Sequence, residues 1–376
     1  MNFSLNEEQE MLRKSAREFL ERECPKKLVR EMEQDEKGYS PEIWERTAQL
    51  GWMGLVFPEE YGGMGNDIFS LTILLEEMGK TLLPGPFVST VVCGGLPILH
   101  YGSEEQKGNF LSPIVEGKLI MTLAVTEPET QFSEILSEVK ELETKAVKNG
   151  NSYTISGIKL FVPNAHVASW FLCLASTDEG ATVFLINSEN AGVSCSLLET
   201  LASDKQYEVG LDNVRVPATD ILGQSGKGWE IVETIGKWAA LANCALIVGG
   251  AQYVLEATVS YAKERVQFER AIGSFQAIQH KCANMLIDID GARFLTNEAA
   301  WRLSENLPAT KEISMAKAWA SDASRRVCLE AMRIHGGVGI SSDHDMQLYF
   351  RRAKAMEAAW GDGDFHRELV ARNIGL

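Results

Sequence analysis

The chain changes its residue pattern twice along its 376 residues, and this change constrains the fold more than any other feature. Up to about residue 115, apolar residues recur at helical spacing. From about 118 to 222, short β-rich runs are separated by turn signals, and long amphipathic segments follow from Trp229 onward. Helices, then a compact antiparallel β region, then a helical bundle indicate an α+β fold. We expect an N-terminal helical domain over 1–117, a middle β domain over 118–225 and a C-terminal helical bundle over 226–376.

Local signals refine this outline. Ser4 and Glu7 form a capping-box pattern ahead of the first amphipathic run, so we expect a helix to begin there. Asn149-Gly150 lies between two β-rich runs and predicts a hairpin. Strands and helices do not alternate, and no G-x-G-x-x-G motif follows a strand. These two observations argue against a dinucleotide-binding Rossmann domain.

The charge balance excludes two classes of partner. Asp and Glu number 52 against 36 Lys and Arg, which gives a formal net charge of −16. Nucleic acid and anionic lipid both require a basic face, so we expect neither as a partner. Residues 238–255 contain no charge and imitate a membrane span, but they include Asn243, Gly249 and Gly250. We therefore expect a helix buried inside a bundle and no membrane partner.

The cysteines and histidines point to neither a disulfide framework nor a metal site. Seven cysteines are scattered singly, with no C-x-x-C pair. The six histidines form no H-x-x-x-H or H-E-x-x-H pattern, so we expect no metal. The residues after Met1 lack the basic and apolar regions of a signal peptide. Reduced thiols and no visible leader favour a cytoplasmic protein.

Six short segments follow one another at a characteristic spacing. They are residues 51–63, Thr126-Glu127-Pro128, Gly157-Ile158-Lys159 with Asn164, residues 212–217, residues 265–268 with Phe275-Gln276, and Gly336-Gly337 with Gly339. In this order the chain resembles the acyl-CoA dehydrogenase family of flavoproteins over essentially its whole length.

The resemblance implies a fold and a chemistry. Members of the family have an N-terminal helical domain, a middle β domain and a C-terminal four-helix domain, and usually form tetramers as dimers of dimers. Their FAD lies between the β domain and the C-terminal helices, and a neighbouring subunit completes the site. A carboxylate removes the α-proton of an acyl-CoA thioester while the β-hydride passes to the flavin. Electrons then leave to electron-transferring flavoprotein, which we expect as the acceptor.

The resemblance also implies the cofactor-binding residues. A threonine at the position of Thr126 hydrogen-bonds the isoalloxazine edge, and an aromatic near Phe161 packs on the flavin ring. The positions of Arg265 and Gln276 reach the diphosphate and adenosine of FAD, and a guanidinium suits phosphate oxygens. Arg333 replaces a common Gln and adds a cation near the diphosphate. The full expected set is Thr126, Phe161, Arg265, Phe268, Gln276, Arg333, Gly336 and Gly337.

Plain structural interpretations of these residues stay open at this point. Thr126 is then a strand-terminal turn residue and Phe161 an ordinary core aromatic. Arg265 is a surface residue in a charged run, and Arg265 and Phe268 share one helical face or the turn that leaves it. The Gly336-Gly337 pair is a turn between helices.

The chain departs from the family where substrate chemistry takes place. Residues 129–133 replace the glycine-rich loop that lines the CoA channel, and Pro163 replaces a hydroxyl residue near flavin N5. Trp360 stands at the usual position of the catalytic Glu, and an indole N–H only donates. The family's second base position aligns near Ala239-Ala240, which carries no acid.

Two acidic residues remain close to position 360 in the sequence. Asp362 is a weak candidate for a substitute base, and it requires the loop to shift its register. Asp364 we interpret as the N-cap of the last helix.

The residues expected to bind flavin match the family, whereas the residues expected to act as the base do not. Three hypotheses about function follow from this difference. The leading hypothesis is an FAD-dependent acyl-CoA dehydrogenase-like subunit whose homologous partner supplies the catalytic base in a heterotetramer. The second is a self-sufficient homo-oligomeric flavoenzyme, such as a homotetramer, with a relocated base or a different acyl-CoA chemistry. The third is a subunit without activity that serves assembly or binding.

Overall fold

The computed structural model describes residues 5–130 and 142–376. They form two compact units, each treated by itself. The helical unit comprises the described residues up to Arg30 together with Asp67–Leu83 and Ala240–Leu376, and the sheet unit comprises Glu31–Asn66 and Pro84–Ala239. Along the chain, helices precede a β region and helices return after it, so the α+β expectation is confirmed.

Helices fill both ends of the described chain. A π-helical stretch, Val88–Gly95, runs directly into the fifth α-helix. The helices are α1 (Glu7–Glu23), α2 (Lys26–Gln34), α3 (Pro41–Gln49), α4 (Ile68–Thr81), α5 (Leu96–Tyr101), α6 (Glu104–Val115), α7 (Gly228–Glu264), α8 (Gln276–Ser304), α9 (Thr310–His335), α10 (Gly337–Ile340), α11 (Asp345–Ala358) and α12 (Gly363–Asn373).

The first helix begins later than the sequence pattern suggested. Asn6 is the N-cap of α1, and its side chain accepts a hydrogen bond from the backbone N–H of Gln9. The Gln9 side chain in turn accepts one from the backbone N–H of Asn6, which completes a capping box. The observed box is formed by Asn6 and Gln9, so the predicted pairing of Ser4 with Glu7 names the wrong residues; Ser4 itself lies outside the described residues.

The long apolar helix α7 lies inside packed protein. By length and composition it is the one helix of the described ranges that could cross a membrane, yet 72% of its most apolar window is buried. In the helical unit its residues Leu241 and Val248 share one apolar core with Ile289 of α8 and with Val327 of α9. A core helix of a folded bundle meets the same length criterion as a membrane span.

The β region forms one sheet of eight strands. The path β6-β7-β3-β2-β4-β5-β8 runs through it, and β1 pairs with β4 outside this path. Buried aromatic residues such as Phe171 and Phe184 belong to its apolar core. The strands are β1 (Met121–Ala124), β2 (Lys145–Asn149), β3 (Ser152–Pro163), β4 (Trp170–Thr177), β5 (Gly180–Asn187), β6 (Val193–Leu198), β7 (Gln206–Pro217) and β8 (Ile221–Leu222).

The pairing confirms the hairpin and corrects the strand directions. Strands β2 and β3 pair in antiparallel fashion across Gly150, whose φ is +63°, so the Asn149-Gly150 hairpin is confirmed. Strand β1, however, runs parallel to β4, and the expectation of a purely antiparallel region was wrong there. The long connection between β1 and β4 lets the chain return in the same direction, which a short turn does not allow.

Candidate active site

Thr126 lies just beyond the end of β1, at a half-buried position. Its carbonyl accepts a hydrogen bond from the backbone N–H of Leu160 on β3, at 2.8 Å. One residue to each side, the Lys159 ammonium donates to the carbonyl of Val125 at 3.3 Å and to the Glu127 carboxylate at 2.6 Å. The backbone around Thr126 is therefore fixed from both sides by residues 159–160.

The Glu127 carboxylate is saturated with donors in a buried place. Besides Lys159, it accepts from the backbone N–H groups of Glu143 at 2.7 Å and of Thr144 at 3.0 Å. Burial by itself raises the pKa of Glu127, but the ammonium and the hydrogen bonds outweigh burial and hold that pKa below its ordinary value. Glu127 is thus an anchoring carboxylate and not a free acid.

Phe161 projects from an irregularity of β3. The pairing of β3 with β7 loses its register between Lys159 and Val162, and Phe161 inside this bulge has φ of +53°. Its side chain is 57% exposed, so the interpretation of Phe161 as a core aromatic does not hold. A bulky residue at positive φ is uncommon and concentrates at functional sites. The bulge gives the ring a free face.

Arg265 and Phe268 lie in a hairpin that leaves α7. Strands β9 (Val266–Gln267) and β10 (Arg270–Ala271) pair across a two-residue turn whose residues Phe268 and Glu269 have φ of +54° and +64°. The two residues therefore share the exit turn and not a helical face. Phe268 is 84% exposed, and Arg265 is exposed beside it.

Gln276 is the first residue of α8, close to that hairpin. The residue before it, Phe275, lies edge-on to Phe268, with ring centroids 6.0 Å apart. No side chain caps this helix start, and Gln276 is exposed there. The first backbone N–H groups of α8 therefore lack a side-chain cap, and the positive end of the helix dipole lies at this helix start.

The glycine pair follows α9 and lies near the end of α7. The rings of Tyr261 and His335 stack with centroids 4.4 Å apart, which joins the ends of these two helices. Gly336 adopts φ of +63° and ψ of −143°, a region that favours glycine. A Cβ atom added to Gly336 or Gly337 meets nothing within 4 Å, so neither glycine is needed for packing within this chain. Open space at both residues leaves room for a ligand to approach the backbone.

Arg333 already has a partner on its own helix. Its guanidinium pairs with the Glu330 carboxylate, which also accepts from Lys281 of α8 at 2.5 Å. The Lys281 hydrogen bond is the largest influence that lowers the pKa of Glu330 below its ordinary value. The group therefore carries two cations and one anion, a net positive charge next to the glycine pair.

Position 360 carries a constrained tryptophan. Trp360 has φ of +62° in the turn between α11 and α12, and its half-buried indole packs against the core of the helical unit. Ala239 and Ala240 on α7, the other expected base position, are buried. Neither position offers a proton acceptor.

The two nearby aspartates have structural roles that reverse one expectation. Asp362 is the N-cap of α12, and its Oδ1 accepts from the backbone N–H of Phe365 at 2.9 Å. Asp364 is not the cap, because it already lies inside the helix and pairs with Arg367 at 2.7 Å. The predicted cap was therefore wrong by two residues, since both aspartates suit a cap by residue type and the sequence does not reveal where helical φ and ψ begin.

The predicted cofactor residues fall into two groups. Thr126 and Phe161 belong to the sheet unit, and the other six belong to the helical unit. In the sheet unit, Phe161 presents an exposed aromatic ring, and such a π-face suits a planar ring system. In the helical unit, Arg265 and Arg333 are exposed, and a guanidinium suits phosphate oxygens. Within residues 5–130 and 142–376, His, Cys, Asp and Glu form no group suited to a metal ion.

Sequence reasoning did not find the structural role of several buried polar residues near these groups, although Lys159 and Asn243 were noted in other contexts. Lys159 and Lys317 are completely buried lysines, and Asn243 and His366 are buried polar side chains near position 360. For Lys317 a signal was present, since it lies in the apolar stripe of α9 between Ile313 and Ala320. A charged residue on a core face requires several partners, and those partners come from distant segments.

Comparisons with known proteins agree with this arrangement. Three family models match the chain in order: acyl-CoA dehydrogenase N-terminal domain over residues 6–118, middle domain over 122–214 and C-terminal domain over 226–375. The probable acyl-CoA dehydrogenase YngJ of Bacillus subtilis is 34% identical, with both chains covered completely.

Solved structures extend the match to three dimensions. Butyryl-CoA dehydrogenase from Megasphaera elsdenii has a TM-score of 0.92 at 30% identity, with both chains fully covered. A chain of the ChsE4-ChsE5 complex from Mycobacterium tuberculosis has a TM-score of 0.90 at 29% identity, covering 100% of this chain and 99% of that one. Whole-length matches to the three domains in their order show that this chain belongs to the acyl-CoA dehydrogenase family, whose FAD-using oxidoreductases act on CH–CH bonds.

Proposed function

We propose that this chain is an FAD-binding subunit of an acyl-CoA dehydrogenase and that a homologous partner subunit supplies the catalytic base. The observation that carries the proposal is the contrast between Trp360, which has no proton-accepting group, and the open surface at Phe161, Arg265 and the Gly336-Gly337 pair. The flavin-binding side of the site is retained, while its carboxylate is replaced.

The residues divide the binding task by their chemistry. When bound, FAD supplies the acceptor for the hydride that leaves the acyl β-carbon. Arg265 and the uncapped start of α8 suit the diphosphate, because both present N–H donors and positive charge. Phe161 offers a π-face for the isoalloxazine, and Thr126 a hydroxyl for its edge. The Glu127–Lys159 pair holds the backbone of these last two residues in place.

With Trp360 in place of a carboxylate, this subunit by itself lacks the base that removes the α-proton of the substrate. Removal of the α-proton needs an acceptor, and loss of a general base costs about 10² to 10⁴ in rate. The base candidate Asp362 is committed to capping α12, which weakens the hypothesis of a relocated base. A partner with Glu at the equivalent of position 360 restores the missing group.

Two further observations support a homologous partner. The similar ChsE4-ChsE5 structure is a complex of two differently named subunits. In the helical unit of this chain, α8 and α9 leave five large apolar side chains exposed, and exposed apolar residues concentrated on two packed helices are typical of an interaction surface. These side chains are Leu286, Ile287, Phe294, Trp319 and Leu329.

We further propose an acyl-CoA substrate, electron-transferring flavoprotein as acceptor, a cytoplasmic location and functional domains at 1–117, 118–225 and 226–376. The cysteines of the described ranges are all free and mostly buried, which supports a reducing compartment.

The test compares the chain alone with the chain co-expressed with a homologue that carries Glu at the equivalent position. We expect the chain alone to leave its flavin oxidised when butyryl-CoA is added without oxygen. The complex is expected to bleach the flavin absorbance with a suitable acyl-CoA from a chain-length series. We expect the FAD-loaded homo-oligomer of Trp360→Glu to be about 10²-fold or more active than that of Trp360→Gln. Glutamine has nearly the shape of glutamate but no carboxylate to act as a base. Equal flavin reduction by the wild-type chain alone contradicts the partner-supplied base.

A further inference from the structure

The turn that carries Trp360 contains a dense group of backbone acceptors. We call residues 356–361 the tryptophan turn. Lys317 on α9 directs its ammonium at three of its carbonyls: Met356 at 3.2 Å, Glu357 at 3.1 Å and Gly361 at 2.9 Å. The hydroxyl of Ser321 is a fourth neighbour at 2.8 Å, and Lys317 is completely buried. Four acceptors therefore share the three N–H donors of one ammonium.

Two further buried side chains contact backbone carbonyls of the tryptophan turn. Asn243 of α7 donates to the carbonyls of Met356 at 2.8 Å and Ala359 at 3.3 Å. His366 of α12 contacts the Trp360 carbonyl through Nε2 at 2.9 Å. Side chains from three helices thus converge on one turn and contact the carbonyls on both sides of the indole.

The conformation of the turn needs this support. Trp360 and the following Gly361 have φ of +62° and +92°. A bulky aromatic residue rarely adopts positive φ, and such a conformation persists only where the surroundings determine it. Carbonyl dipoles that point at one place also repel each other unless a cation lies between them. The Lys317 ammonium places a cation between these carbonyls, and its hydrogen bonds to them also support the positive-φ conformation of Trp360 and Gly361.

We propose that Lys317 is a positioning residue whose ammonium, together with Asn243 and His366, holds the tryptophan turn in one register and so presents the side chain of residue 360 at a fixed place. The proposal deepens the proposed function and rests on it for the catalytic consequence: a carboxylate introduced at 360 arrives already positioned, and Asp362 stays at the helix cap.

The surroundings of Lys317 make its contacts with the tryptophan turn sensitive to pH. Burial lowers the pKa of Lys317 to about 8, while Cys244, Asp362 and Glu357 act in the opposite direction. Burial also raises the pKa of the Cys244 thiol to about 12 and lowers the pKa of His366 to about 4. Between pH 7 and 10, Lys317 is therefore the group of this cluster that changes charge. A neutral amine has two donors and a lone pair, so at least one carbonyl must be released.

The experiment follows the indole directly by ¹⁹F NMR of the full chain labelled with 5-fluorotryptophan. The chain has eight tryptophans, and the resonance of residue 360 is identified by its loss in Trp360→Phe. We expect Lys317→Met to shift or split this resonance while those of Trp44 and Trp170, in the sheet unit, stay in place. In wild type the same resonance should shift once between pH 7 and 10, and Lys317→Met should abolish that step.

A matched control removes a different cation from the same helix. Lys311 of α9 is half exposed and pairs with Glu312, so Lys311→Met should leave the resonance of residue 360 and its pH step unchanged. An unshifted resonance in folded Lys317→Met overturns the proposal. If that variant does not fold, Asn243→Leu decides, because it removes the donor to the Met356 and Ala359 carbonyls of the same turn, and an unshifted resonance of residue 360 in that variant overturns the proposal. Neither result depends on flavin or on a partner, so the proposed function is judged separately by the activity of Trp360→Glu.

Discussion

The Lys159 ammonium lies 2.6 Å from the Glu127 carboxylate, and neither side chain is exposed. Both residues belong to the short motifs by which the sequence resembles its family, one in Thr126-Glu127-Pro128 and the other in Gly157-Ile158-Lys159. Their pairing links the end of β1 to the bulge of β3. The two motifs are therefore parts of one structural device, which places Thr126 and Phe161 in the sheet unit.

Removal of the Glu127 charge from its ion pair with Lys159 should lower the free energy of unfolding strongly. Glu127→Gln leaves the Lys159 ammonium buried without its counter-charge, and we expect a loss of about 3–5 kcal/mol in unfolding free energy. Urea denaturation measures it, and flavin affinity should fall in parallel. Lys148→Met is the control, because its partner Glu179 lies 4.0 Å away at the exposed surface. That change should stay within about 1 kcal/mol. Equal effects of the two variants contradict the anchoring role of Glu127.

The close approach of α4 and α7 gives a second prediction. A Cβ atom on Gly249 would overlap the carbonyl oxygen of Glu76, far inside the 3.0 Å that real contacts respect. Because the obstacle is backbone, Gly249→Ala should destabilise the protein by about 3 kcal/mol or more. Thermal and urea unfolding of the pair Gly249→Ala and Gly250→Ala provide the measurement. Gly250 has its nearest neighbour at 3.6 Å and should tolerate alanine or gain stability from its helix propensity.

The role of Asp362 can be separated from that of a base. Loss of the N-cap in Asp362→Ala should cost about 1 kcal/mol of unfolding free energy. Asn caps a helix as well as Asp, so Asp362→Asn should keep both stability and the turnover of the heteromeric complex. Urea unfolding and flavin-reduction rates check the two variants. A large loss of rate in Asp362→Asn with intact stability would instead identify a catalytic carboxylate.

The burial of His366 should make the free energy of unfolding depend on pH in the acidic range. Burial lowers the pKa of His366 to about 4, from an ordinary 6.5, and its Nδ1 has no partner in the described structure. Between these two values the unfolded chain binds a proton that the folded chain rejects, so stability falls as pH decreases from 6.5 to 4. This residue should cost about 2 kcal/mol between pH 7 and 5.

His366→Gln removes that titration while keeping a donor for the Trp360 carbonyl. The variant should therefore lose less stability than wild type when urea unfolding is compared at pH 7 and pH 5. The other histidines are common to both proteins, so the difference isolates His366. The same acid sensitivity in both proteins would place the titrating group elsewhere.

Local sequence signals predicted those features that depend on neighbouring residues. The order of helical and β-rich segments, the Asn149-Gly150 hairpin and the burial of α7 rest on periodicity and turn chemistry within a few residues. Local signals gave the wrong residue where the start of a helix depends on the φ and ψ angles of a single residue. Asn6 rather than Ser4 begins α1, and Asp362 rather than Asp364 caps α12.

Contacts between distant segments were decided by the tertiary structure. The parallel pairing of β1 with β4 spans the intervening β2–β3 hairpin, and no local pattern specifies it. The donors that surround the tryptophan turn come from Asn243, Lys317 and His366, which are widely separated along the chain. By itself, the sequence determined the class of fold and the absence of an acid at residue 360. Only the packed structure decided where that residue is held, because a buried charge finds its partners through three-dimensional convergence and not through spacing.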